Sequence, residues 1–154
     1  RGPSEEHIVA VDVVTEITID RPVAEVAAYA GDPSSAPEWY ANISAVVWRT
    51  DPPLRVGSEM DFTASFLGRR LSYTYAVVEL VPDERLVMRT AEGPFPMETT
   101  YTWSPADEGA TRMTLRNRGE PTGFAAVGAS LMARAMRSAN TKDLRRLKEL
   151  LEAR

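Results

Sequence analysis

Tyrosine holds most of the chemical promise in this sequence, because its 154 residues include one histidine and no cysteine. There is no cysteine, which excludes a thiolate nucleophile, a disulfide framework, an iron–sulfur cluster and a Cys-based zinc site. The one histidine, His7, stands too close to the start to join a His-rich metal site or a Ser-His-Asp triad on a rigid element. No metal and no cofactor is expected. Tyr73, Tyr75 and Tyr101 remain as candidate catalytic residues, since a buried phenol can donate a proton; nothing in their spacing fixes a reaction.

Carboxylates arranged for general acid–base work are the next thing such a chain could offer. Their positions argue against it. Glu59 and Asp61 share the outward face of one strand, Asp12 and Glu16 the polar face of another. Glu98 is expected to pair on the surface with Arg116 or Arg118, and Arg89 to lie outside as well. No ionisable dyad is expected to point inward, which leaves tyrosine as the main titratable group of the interior. Gly123–Gly128 has the glycine spacing of a phosphate-binding loop but lacks its lysine. Gly128–Met132 lacks the second glycine of a nucleophile elbow.

The elements that position these residues follow from periodicity. Val9, Val11, Val13, Ile17 and Ile19 alternate with Asp12, Glu16, Thr18 and Asp20, a strand with one buried face. Asp20-Arg21-Pro22 predicts a cap and a helix start, with the helix over Val23–Ala30. A second short helix is expected over Ser34–Tyr40, capped by Ser34 or Ser35. Six strands follow, over Ile43–Arg49, Ser58–Phe66, Arg70–Leu80, Leu86–Ala91, Met97–Trp103 and Thr111–Arg118. Their separation by Pro, Gly and Asp turns predicts an antiparallel meander. A long helix closes the chain, its apolar stripe running from Phe124 and Val127 through Leu131, Met132, Ala135, Met136, Ala139, Leu144 and Leu147 to Leu151. Its opposite side carries Arg134, Arg137, Lys142, Arg145, Arg146 and Lys148. The predicted fold class is α+β: a curved seven-stranded antiparallel sheet around a long C-terminal helix, with two short helices between strands 1 and 2. Such a curved sheet leaves room for a cavity beside the helix.

Strand parity then names the residues that face the cavity. They are Trp39, Tyr40, Met60, Phe62, Phe66, Tyr73, Tyr75, Met88, Phe95, Tyr101, Trp103, Asn117, Phe124, Met132 and Met136, with the Thr99 hydroxyl close by. A wall of this kind would hold a flat or greasy ligand and orient it by a few hydroxyls; the same residues could instead fill a solid core. Glu92–Pro96 and Gly119–Gly123 are expected to form the mouth, with Phe95 and Phe124 as gate residues.

Composition sets the remaining bounds. The chain is 44% hydrophobic and 26% charged, as ordinary globular proteins are. Its net charge of −4 argues against nucleic acid as a partner. No apolar run is long enough to cross a bilayer and no signal peptide opens it, so no stable membrane insertion and a cytoplasmic location are expected. Residues 1–7 are expected to be disordered or tag-like, and residues 8–154 to form one domain.

Three strings carry a family resemblance: RPVAEVAAYAGDPSSAPEWYANI at Arg21–Ile43, VVELVPDERLVMRT at Val77–Thr90, and TYTWSPADEGATRMTL at Thr100–Leu115. Together with the element order they resemble the START-like, or SRPBCC, superfamily, which includes the polyketide cyclase/dehydrase proteins. The departure lies in the third string, where Ala110 separates Gly109 from Thr111-Arg112. The resemblance implies a helix-grip fold with a deep apolar cavity for ligands such as lipids, sterols, quinones or polyketides. The leading expectation is binding or carriage of a hydrophobic small molecule (lipid, polyketide or aromatic). The alternatives are a cofactor-independent cyclase/dehydratase using the pocket tyrosines, and a protein-interaction module acting through the basic face of the last helix.

Overall fold

The computed structural model describes residues 10–121, 124 and 127–154. The expectations for residues 1–7, and for Thr122 and Gly123 at the mouth, fall outside them. Strand β1 (Val11–Ile19) is followed by helix α1 (Val23–Ala30), a 3-10 turn (Pro33–Ser35) and helix α2 (Ala36–Trp39). Six strands come next: β2 (Ile43–Trp48), β3 (Glu59–Phe66), β4 (Arg69–Val81), β5 (Arg85–Glu92), β6 (Met97–Pro105) and β7 (Thr111–Gly119). Helix α3 (Ala129–Glu152) ends the chain.

All seven strands form one antiparallel sheet in the order β1-β7-β6-β5-β4-β3-β2. Period-two alternation dictates its two faces. In β1, Val11, Val13, Thr15 and Ile19 are buried while Asp12, Val14, Glu16 and Thr18 are exposed. The sheet is curled into a half-barrel around α3. Register shifts between Ile43 and Ala45 of β2, and at two points of the β4–β5 pairing, bend it locally.

Helix α1 spans the expected residues, but Asp20 does not cap it. Pro22 takes the cap position in an extended conformation with no side-chain hydrogen bond. The Asp20 N–H instead donates to the Glu152 carboxylate at 2.7 Å, and Arg21 Nη2 donates to the Glu152 carbonyl at 2.7 Å. These bonds tie the start of α1 to the end of α3. The second helix is also shorter than expected. Ser35 holds its cap position as expected but makes no side-chain capping bond, because its Oγ donates to the carbonyls of Tyr29 and Asp32; Asp32 caps the preceding 3-10 turn by accepting from the Ser34 N–H.

Helix α3 begins at Ala129, later than the stripe from Phe124 predicts. Gly128, at φ 88°, holds the left-handed conformation that interrupts a helix there. The buried face is also rotated from the expected one. It runs through Met132, Met136, Asn140, Asp143, Leu144, Leu147 and Leu151, whereas Leu131 is 58% exposed.

Two apolar clusters result. The larger joins α1, α2 and the C-terminal half of α3 to the concave face around Ile19, Trp39, Met60, Val77, Leu86, Leu115 and Leu147. The smaller gathers Val11, Val13, Phe124, Met132 and Met136.

Candidate functional site

A cavity of about 160 Å³ lies between the concave face and α3. Alternation along each strand delivers its wall: Phe62, Ala64 and Phe66 from β3, Leu71, Tyr73 and Tyr75 from β4, Met88 and Thr90 from β5, Met97, Thr99 and Tyr101 from β6, Asn117 from β7. Helix α3 adds Met132, Met136, Ala139, Asn140 and Asp143 on steps of three and four residues. Tyr40, Asn42, Ile43, Ser65, Pro94, Phe95, Pro121 and Phe124 complete it. Of the residues that parity nominated, Trp39, Met60 and Trp103 do not line this space. Trp39 and Met60 are packed into the larger core, and Trp103 backs onto a surface groove with Gly31, Pro33 and Leu86.

The aromatic rings are arranged edge to face and offset rather than as a solid stack. Phe62 lies parallel to Tyr73 at 5.4 Å between centroids, and Tyr75 meets both edge-on at 5.6 and 5.0 Å. Phe124 meets Phe66 at 5.8 Å and Phe95 at 6.1 Å, both edge-on. Arg69 sits over the outer face of this cluster, 5.2 Å from the Phe124 centroid. The two expected mouth segments are stitched together by backbone, the Glu120 N–H donating to the Pro96 carbonyl at 3.0 Å. Only glycine permits this approach at position 119, where a Cβ would stand 2.3 Å from the Pro96 oxygen.

The polar groups form two short chains. In one, Asn140 Nδ2 donates to Asn117 Oδ1 at 2.9 Å, Asn117 Nδ2 donates to Thr99 Oγ1 at 3.0 Å, and Thr99 shares a hydrogen bond of 2.8 Å with the Tyr75 hydroxyl. In the other, the Tyr40 and Tyr101 hydroxyls share a bond of 2.7 Å. Burial raises the pKa of all four pocket tyrosines; Tyr75 is pushed up to about 12, with the Thr99 bond pulling it partly back. Their phenols stay protonated at neutral pH and serve as donors, not as bases.

Asp143 overturns the expectation that tyrosine is the interior's main titratable group. It is 3% exposed and lines the cavity. The Ala41 N–H donates to its Oδ1 at 3.0 Å, and no lysine, arginine or histidine lines the cavity among the described residues. Burial pushes its carboxyl up to about 6, the Ala41 bond opposing. Asp143 and Asn140 were legible in principle, since they fall on the helical steps linking Met136 to Leu147. Their polarity masked that placement.

The convex face carries the surface pairs. Arg118 and Arg89 both donate to Glu98, at 2.8 and 2.6 Å, while Arg116 grips Asp12 through two bonds of 2.8 and 2.5 Å. Arg89 is thus outside as expected, and of the two partners named for Glu98 only Arg118 takes it. Thr100, of outward parity, is nonetheless buried. On the far side of α3, Arg134, Arg137, Lys142 and Arg145 border a shallow groove, whereas Lys148 pairs with Glu152 at 2.7 Å. No group of acidic or histidine residues suited to a metal occurs among the described residues.

Comparison with known proteins decides the family. The model of the polyketide cyclase/dehydrase and lipid transport family matches residues 10–152. The chain belongs to that family. This family member shares its fold with solved structures of low sequence identity. One is the ZhuI aromatase/cyclase from Streptomyces sp. R1128 (TM-score 0.78, 13% identity, covering 93% of this chain and 94% of that one). Another is a START superfamily protein from Mycobacterium smegmatis (TM-score 0.78, 12% identity, 92% and 97%). A third is the major latex-like protein 151 of Panax ginseng (TM-score 0.70, 11% identity, 92% and 97%). A search of curated proteins by sequence found no match. No helix among the described residues is long and apolar enough to cross a membrane.

Proposed function

We propose that this chain binds a hydrophobic small molecule with an aromatic body in its internal cavity. One observation carries the reading: a ring-lined space between sheet and helix whose few polar groups converge beside α3. Phe62 and Tyr73 offer flat faces to a ring, and Asn140, Tyr101 and Asp143 offer hydrogen bonds to a polar substituent. The volume of about 160 Å³ is close to the roughly 150 Å³ of an engineered apolar cavity that takes up benzene. A ligand of one ring fits this volume as the wall stands. Native mass spectrometry of freshly purified protein, with displacement of a hydrophobic dye, tests the reading. Dye uptake that small aromatics reverse supports it, and a protein that takes up neither is a solid core.

A second reading is catalysis of a cyclase or dehydratase type in the same cavity. Asp143 favours it, because a buried carboxyl with a pKa of about 6 in a cavity wall is suited to exchange a proton at neutral pH. The similarity in fold to an aromatase/cyclase points the same way. Under this reading Asp143→Asn abolishes turnover, while Tyr73→Phe, Tyr75→Phe and Tyr101→Phe lower it more modestly. Full turnover by Asp143→Asn removes Asp143 from the chemistry.

A further inference from the structure

The cavity holds a charge without a counter-charge. Asp143 sits on the inward face of α3, its only hydrogen bond from the described residues being the one from Ala41 to Oδ1. The remaining wall is aromatic, aliphatic, amide or hydroxyl, and none of these cancels a carboxylate. An isolated ionised carboxylate in an apolar enclosure is unfavourable, and natural interiors pair such groups. At neutral pH a carboxyl of pKa about 6 is mostly ionised. The phenols of Tyr40 and Tyr101 are raised by its charge, which places it within electrostatic reach of both hydroxyls.

We propose, building on the reading of the cavity as a binding site, that its ligand is a hydrophobic amine whose ammonium group is held by Asp143. A cation at this position gains the Coulomb attraction of a desolvated carboxylate. A neutral hydroxyl gains one hydrogen bond, and an anion is repelled. The apolar body of the ligand then lies against Phe62, Tyr73 and Met88, away from the charge. Asn140 Oδ1, whose amide nitrogen is already engaged with Asn117, is a second acceptor for an N–H.

Three probes of one shape and different charge test this: 2-phenylethylamine, 2-phenylethanol and phenylacetate, titrated at pH 7.5 by calorimetry or by amide chemical shifts. The amine is expected to bind at least tenfold more tightly than the alcohol, and the acetate most weakly. Asp143→Asn is expected to bring the ratio of amine to alcohol affinity close to one. An amine that binds no better than the alcohol overturns the amine assignment and leaves the cavity reading standing. So does a preference that survives in a folded Asp143→Asn protein. If none of the three binds, both fall. The wild-type comparison decides even where the variant does not fold.

Discussion

Asp143 is where the balance of forces in this protein is most exposed. Its carboxyl is raised by burial to about 6 from an ordinary value of 3.8. The folded state therefore holds its proton more tightly than the unfolded chain does. The stabilising contribution is complete below about pH 4 and is lost as the pH rises through 6. Above that the ionised group opposes folding by up to about 2 kcal/mol, after allowing for partial solvation. Asp143→Asn keeps the acceptor for Ala41 and removes the charge. The variant is expected to be more stable than wild type at pH 7.5 in urea denaturation, with the difference vanishing toward pH 4. An equal difference at both pH values would contradict the assignment. Strand parity made the tyrosines and Asn117 readable in advance because a period of two leaves no choice of face. The helix was harder, since a polar residue on a helical stripe looks like solvated surface until the sheet opposite it is known.

Among the elements, α3 decides both the core and the cavity wall, and the rotation of its buried face is measurable. Leu147 is fully buried against the larger core, while Leu131 is 58% exposed. Leu147→Ala is expected to cost about 2–5 kcal/mol, and Leu131→Ala less than about 0.5 kcal/mol, both read from denaturation midpoints. Equal losses would mean that the apolar stripe read from sequence was the true one. The strands were legible to within a residue or two at most ends, because Pro, Gly and Asp mark each turn. The start of α3 was not, because apolar Phe124 and Val127 continue the helical spacing past Gly128, whose left-handed backbone ends it. The mouth depends on the Gly119–Pro96 approach. Gly119→Ala forces those segments apart, and is expected to lower the melting temperature and speed dye exchange with the cavity.

For the molecule as a whole, the division of labour between the two sheet faces is the main result. The sheet's own ion pairs lie on the convex face, where Glu98 is held by Arg89 and Arg118 and Asp12 by Arg116. Burial pushes the Glu98 carboxyl up, but the two arginine bonds outweigh it and keep it below its usual range. Its contribution therefore has the opposite sign to that of Asp143: present at neutral pH and lost as the pH falls below the ordinary carboxylate range. Glu98→Gln is expected to weaken the fold at pH 7, with the deficit shrinking on acidification, in the same urea assay. The concave face, by contrast, lines open space with rings, and the one carboxylate that borders this space, Asp143, comes from α3. The overall architecture was legible in the sequence because element order and turn spacing admit few topologies. The open space was legible only in outline, since whether large side chains leave a gap depends on the exact crossing of helix and sheet. Benzene titrated into uniformly 15N-labelled protein tests that space most directly. Saturable shifts clustered at Phe62, Met88, Thr99, Met136 and Asn140 are the predicted result. Shifts that do not saturate, or that are confined to the outer surface, would contradict an open binding cavity.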